Sequence, residues 1–141
     1  MSGKQRILSG VIVRGAGEAA YFTKLDWVQK QCAEKLGFKP FPGTLNILVN
    51  RNCFPYLEDL QKKPAIELLS PNPSFCNARL LPASLNDLLV AIIIPDEEVN
   101  IHDKNIVEVI APVSLKKTLS LRDGEEVVLF VENTQPDLPR E

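Results

Sequence analysis

The sequence predicts a mainly β fold: a small barrel of about six strands with one main α-helix in a connection. Short runs rich in leucine or β-branched residues recur along the chain, each bounded by Pro, Asp, Asn or Gly. Helical spacing is sustained in one place only, where Leu25, Val28, Cys32 and Leu36 recur on one face. The 141 residues suffice for a single core, so residues 1–134 are read as one domain and residues 135–141 as a frayed tail.

Taken in order, Ile7 to Val13 reads as a strand with Ile7, Val11 and Val13 on one face, ending at Gly15 and Gly17. A helix follows, with Asp26 and Gln29 spaced as a capping box and Gly37 placed as its C-terminal glycine. After Pro40-Phe41-Pro42-Gly43 the period changes to two. Thr44, Asn46 and Leu48 alternate with Leu45, Ile47 and Val49, a strand carrying polar groups on one side. Residues 51–73 are the least legible, with a short helix at Phe54 to Leu60 and a proline-studded loop. Further strands are expected at Phe75 to Leu81, Leu88 to Ile94, Ile106 to Ala111 and Glu126 to Val131. Before the last of these lie a helical turn and a tight turn at Asp123-Gly124.

Composition excludes several classes. The formal net charge is −2, and Lys and Arg are scattered among acids rather than forming a stripe, which disfavours nucleic acid. The longest apolar run, from Leu88, is too short to span a bilayer, and the N-terminus carries no signal-peptide pattern. A cytoplasmic protein without a membrane partner, monomeric, is the expectation. Cys32, Cys53 and Cys76 are too few for a zinc pattern and read as reduced thiols. His102 is the single histidine, which excludes a multi-histidine metal site.

Three stretches carry polar groups where chemistry could sit. The segment from Gly15 to Phe22 lies between a strand and a helix, where glycine-rich backbone can offer amides to phosphate, or it is a simple turn. It is not a dinucleotide fingerprint, because Ala20 stands at the third glycine position, and no Walker A pattern occurs. Thr44 and Asn46 leave the same face of a strand about 7 Å apart. Their neutral oxygens suit Mg²⁺ that also holds phosphate, or else they satisfy backbone groups beside a proline-stiffened turn. Glu108 shares a face with Ile106 and Ile110, an apolar setting that suits a base or substrate anchor; the alternative is an inert rim glutamate.

Together the stretches GAGEAAYF, EKLGFKPFPGTLNI, AIIIP and VEVIAPVSLKKTLSLRDGEEV, in this order, resemble the archaeal-type CTP-dependent riboflavin kinases. The resemblance implies a six-stranded cradle-loop (RIFT-related) barrel that transfers the γ-phosphate of CTP to the 5′-hydroxyl of riboflavin, giving FMN and CDP. It implies that Gly15, Ala16, Gly17, Glu18, Ala19, Ala20 and Tyr21 lie against the nucleotide, with Val113, Ser114, Leu115, Lys116, Lys117 and Thr118 completing the CTP pocket. Thr44 and Asn46 inherit the Mg²⁺, and Glu108 and Asn100 the flavin, with Glu108 also the candidate catalytic group. The chain departs from the family where Asn100, Ile101 and His102 replace a frequent Thr-Tyr-His, and where Leu115-Lys116 replaces Leu-Arg. A non-catalytic nucleotide or flavin sensor is the alternative that those departures would suit.

Overall fold

The structure is a computed structural model that describes residues 6–15, 19–62, 65–72, 77–95 and 105–132. Among these residues seven strands form one antiparallel sheet: β1 (Arg6–Val13), β2 (Leu45–Val49), β3 (Ile66–Leu68), β4 (Ala78–Leu85), β5 (Leu88–Pro95), β6 (Ile106–Ile110) and β7 (Glu126–Val131). Their order is β3-β4-β5-β6-β2-β1-β7, and β7 also pairs with β4 through Ala83 and Ser84. That pairing closes six strands into a barrel and leaves β3 as a short flap on β4. Closure removes the open edges that six short strands would otherwise expose.

Alternation sorts the side chains. Leu8 and Ile12 of β1, Leu45, Ile47 and Val49 of β2, Leu81, Ala83 and Leu85 of β4, and Val107 and Val109 of β6 fill the barrel. Ile7, Val11 and Val13 share the outward face of β1, and Ile7 is 53% exposed. A second cluster lies outside the barrel wall, where Val28 and Cys32 pack on Leu68, Leu80, Ala91, Ile93 and Ile110. Both faces of β4, β5 and β6 are therefore apolar in places, which explains the unbroken run from Leu88.

Among the described residues four α-helices occupy the connections: α1 (Ala19–Lys24), α2 (Asp26–Lys35), α3 (Phe54–Lys62) and α4 (Leu115–Thr118). The main helix is α2, and Phe22 of α1 meets Trp27 of α2 edge to face at 5.7 Å between ring centroids. Gly37 follows α2 at φ +88°, a conformation that a glycine takes without a Cβ penalty, and its N–H reaches Cys32 O at 3.1 Å.

Several expectations need correction. Asp26 does not cap α2: the N-cap is Leu25, which has no side-chain cap bond, and the Gln29 amide is engaged elsewhere. The strand expected to stop at Leu81 runs through Pro82 to Leu85, because β5 pairs along it and the Pro82 carbonyl still accepts from Glu132 N at 3.1 Å. Residues 75 and 76 lie outside the described residues. The hairpin turn at Asn86-Asp87, with φ of +50° and +70°, and the strand β3 went unread. The turn at Asp123-Gly124 and strand β7 lie where expected, with Gly124 at φ +90°.

Candidate active site

The site is built where β2 and β6 meet. In the register of that pair Asn46 stands opposite Glu108, and Leu45 opposite Val109. Side chains directly opposed on one face approach each other closely. Thr44, two residues before Asn46, shares that face. Its hydroxyl is 3.3 Å from Glu108 Oε1 and 3.5 Å from Asn46 Oδ1. A hydroxyl, an amide oxygen and a carboxylate thus converge, all three residues half-buried. The cross-strand neighbour of Glu108 on β5 is Ile93, so the carboxylate lies between a polar and an apolar residue rather than in wholly apolar surroundings. With pairing on both sides, β6 is not an edge strand.

The turn that delivers Thr44 is fixed at three points. Phe41 N donates to Ala111 O at 2.7 Å, Gly43 N to the Thr23 hydroxyl at 2.8 Å, and the Gln29 amide to Pro40 O at 2.8 Å. Gly43 itself sits at φ +105°, which only glycine adopts without strain. Beside the turn opens a cleft lined by Phe41, Pro42, Gly43, Thr44, Leu45, Val109, Ala111, Val113, Ser114, Leu115 and Lys116. Two distant stretches, the turn and the segment after β6, share this cleft because Phe41 pairs with the last residue before that segment's bend.

At the other side of Asn46 lies Gly15. A Cβ on Gly15 would overlap the Asn46 amide nitrogen, so the backbone after β1 passes against this side chain. Residues 16–18 lie outside the described residues, as do Asn100, Ile101 and His102. Ala19, Ala20 and Tyr21 belong to α1 rather than to a loop, and Tyr21 is 63% exposed.

In the segment after β6, Ser114 is the N-cap of α4, its hydroxyl accepting from Lys117 N at 3.3 Å. Lys116 is not an unpaired cation: its ammonium donates to Asp123 Oδ1 at 2.9 Å, and Arg14 Nε lies 3.9 Å from Asp123 Oδ2. The hydrogen bond from Lys116 holds the Asp123 carboxyl below the usual carboxylate range. Asp123 was legible only as a turn residue, and nothing in the sequence links it to Lys116. Phe41, Thr23 and Gln29 were also missed, because their partners are set by the tertiary fold.

The donor set around Thr44 fits a hard divalent cation, since all three donor atoms are oxygen. No group of three or more His, Cys, Asp and Glu residues among the described residues could hold a metal unaided, so the remaining ligands would have to come from a bound anion and water. No helix among the described residues is long and apolar enough to cross a membrane.

Fold and site together define a closed antiparallel barrel that carries an oxygen-donor cluster on its outer wall beside an open cleft. The family model CTP-dep_RFKase, described as a domain of unknown function (DUF120), matches residues 12–131, and the chain belongs to this CTP-dependent riboflavin kinase family. Its relatives include proteins named riboflavin kinase. The one from Methanocella arvoryzae is 33% identical over 126 residues, covering 89% of this chain and 57% of the relative. The Pyrobaculum aerophilum protein is 35% identical over 127 residues, covering 85% and 58%, and that of Ignicoccus hospitalis is 36% identical over 127 residues, covering 88% and 70%. The chain therefore spans a little over half the length of the first two relatives.

Proposed function

We propose that this chain is a riboflavin kinase that takes its phosphate from CTP, yielding FMN and CDP. The observation that carries the reading is the convergence of Thr44, Asn46 and Glu108 beside the cleft formed by the Phe41 turn and the segment after β6. Family membership over residues 12–131 and relatives named riboflavin kinase support the same reaction.

Phosphoryl transfer asks a protein chiefly for alignment and charge neutralisation. In this reading residues 15–21 and 113–118 hold the nucleotide. Thr44 Oγ1 and Asn46 Oδ1 would hold Mg²⁺, which would supply neutralisation of phosphate charge. Two neutral ligands would bind such an ion weakly, so Thr44 and Asn46 would hold it chiefly together with a bound polyphosphate. Glu108 orients the riboflavin 5′-hydroxyl and accepts its proton, within reach of the same cluster. Asn100 contacts the flavin. Lys116 lines the cleft as a point charge rather than a planar fork, and its ammonium would serve phosphate in competition with Asp123. The chain acts as a single domain in the cytoplasm, without nucleic acid or membrane.

The test is conversion of riboflavin to FMN by purified protein with Mg²⁺ and each of CTP, ATP, GTP and UTP, read by chromatography. FMN formed with CTP well above the others supports the assignment; no FMN with any nucleotide overturns it.

A further inference from the structure

We propose that Thr23 and Gln29 are positioning residues of the phosphoryl-transfer site, clamping the Pro40–Gly43 turn to helix α1 so that Thr44 is presented to the metal. The inference rests on the kinase reading above.

Thr23 is the one fully buried polar side chain among the described residues, at 0% exposure. Buried polar groups persist when they are hydrogen-bonded, and this one joins two elements. Its hydroxyl donates to Ala20 O at 3.3 Å, within α1, and accepts from Gly43 N at 2.8 Å. A hydroxyl can do both at once; a methyl can do neither. Gln29 repeats the link. Its amide nitrogen donates one hydrogen to Thr23 O at 2.7 Å and the other to Pro40 O at 2.8 Å. Both donors are used, so the amide spans the end of α1 and the start of the turn.

The placement gives the clamp its role. Gly43 immediately precedes Thr44, so the bond to its N–H pins the Pro42–Gly43 peptide, one residue before Thr44. Helix α1 begins directly after the glycine-rich stretch, so the same bonds tie the nucleotide-side backbone to the metal-side turn. A local helix cap would serve only α2, whereas Gln29 reaches 11 residues along the chain to the turn.

The full chain carrying Thr23→Val, Thr23→Ser or Gln29→Met is compared with wild type in three measurements: the melting transition, hydrogen exchange of the Gly43 amide by NMR, and the Mg²⁺ concentration for half-maximal CTP binding by calorimetry. Loss of one buried hydrogen bond predicts about tenfold faster Gly43 exchange and about a tenfold higher Mg²⁺ requirement in Thr23→Val, with cooperative melting kept and both values restored by Thr23→Ser. A folded Thr23→Val with wild-type exchange and wild-type Mg²⁺ dependence overturns the proposal. So does a Thr23→Ser as impaired as the valine. Should Thr23→Val not melt cooperatively, Gln29→Met is read by the same criteria. Wild-type protein that binds no CTP overturns the kinase reading, while the Gly43 exchange rate still decides the clamp.

Discussion

Asn46 and Glu108 stand opposite each other across the β2–β6 pair, and the Thr44 hydroxyl lies 3.3 Å from the Glu108 carboxylate. The residue proposed for the flavin and those proposed for the metal therefore share one small cluster. Acceptor hydroxyl and donor phosphate must meet within about 3–3.5 Å for transfer, and such a cluster allows it.

Removing the neutral metal ligands is expected to weaken the enzyme far more than removing surface charge. Thr44→Ala and Asn46→Ala should each lower kcat/KM by roughly 10–100-fold, the cost of one lost contact to a charged group. Glu58→Ala, on the exposed side of α3, should stay within twofold, about the scatter of a surface change. Steady-state kinetics decide it, and equal losses in all three would contradict the metal assignment.

Glu108→Gln keeps the shape of the side chain but cannot take a proton. A fall in kcat of about 10²-fold is expected, the lower end for losing a general base. Unchanged kcat and riboflavin KM would remove Glu108 from the site.

Gly15→Ala places a methyl group where the Asn46 amide now sits. The side chain of Asn46 must then turn aside. We expect a raised Mg²⁺ requirement with little change in melting temperature, since Gly15 is exposed on its other side. The Mg²⁺ titration checks this, and a wild-type profile would show that Asn46 needs no such close approach.

Burial pushes the Cys32 thiol up to about 11, with the charge of Lys35 opposing the shift. At pH 8 Cys32 should resist iodoacetamide in the native protein and react after unfolding, as mass spectrometry of its peptide can report. The sign for stability follows. Above pH 9 the unfolded thiol ionises while the folded one does not, so stability falls between pH 9 and about 11, by roughly 2–3 kcal/mol if the whole shift is felt.

Asp123 titrates the other way. Its carboxyl is held low mainly by the hydrogen bond from Lys116, so the pair is intact above the ordinary carboxylate range and is lost only as pH falls below it. In Lys116→Ala the Asp123 carboxyl resonance should titrate at higher pH than in wild type. An unchanged midpoint would mean that the ion pair does not persist in solution, as is common for exposed pairs.

Much of this was legible in the chain and part was not, for identifiable reasons. Period-two alternation located β2, and Pro, Asp and Gly marked the ends of β5 and β7. Local spacing also placed Thr44 and Asn46 on one face. The partnership of Asn46 with Glu108 depends on strand register between residues 62 positions apart, which no local pattern encodes. Gln29 misled for the same reason: its spacing from Asp26 matches a helix cap, but the fold brings the Pro40 carbonyl to its amide. Strand β3 has three residues and no room for a period. Pro82 made β4 look finished, because a proline lacks the N–H that a strand interior ordinarily donates.

Transfer from CTP to riboflavin is read by following the phosphate itself. With CTP labelled at the γ-phosphate, riboflavin and Mg²⁺, the label should appear in FMN, and should vanish from it when Mg²⁺ is chelated or Asn46 is replaced by alanine. Label that remains in CTP, or passes only into inorganic phosphate, would contradict the account.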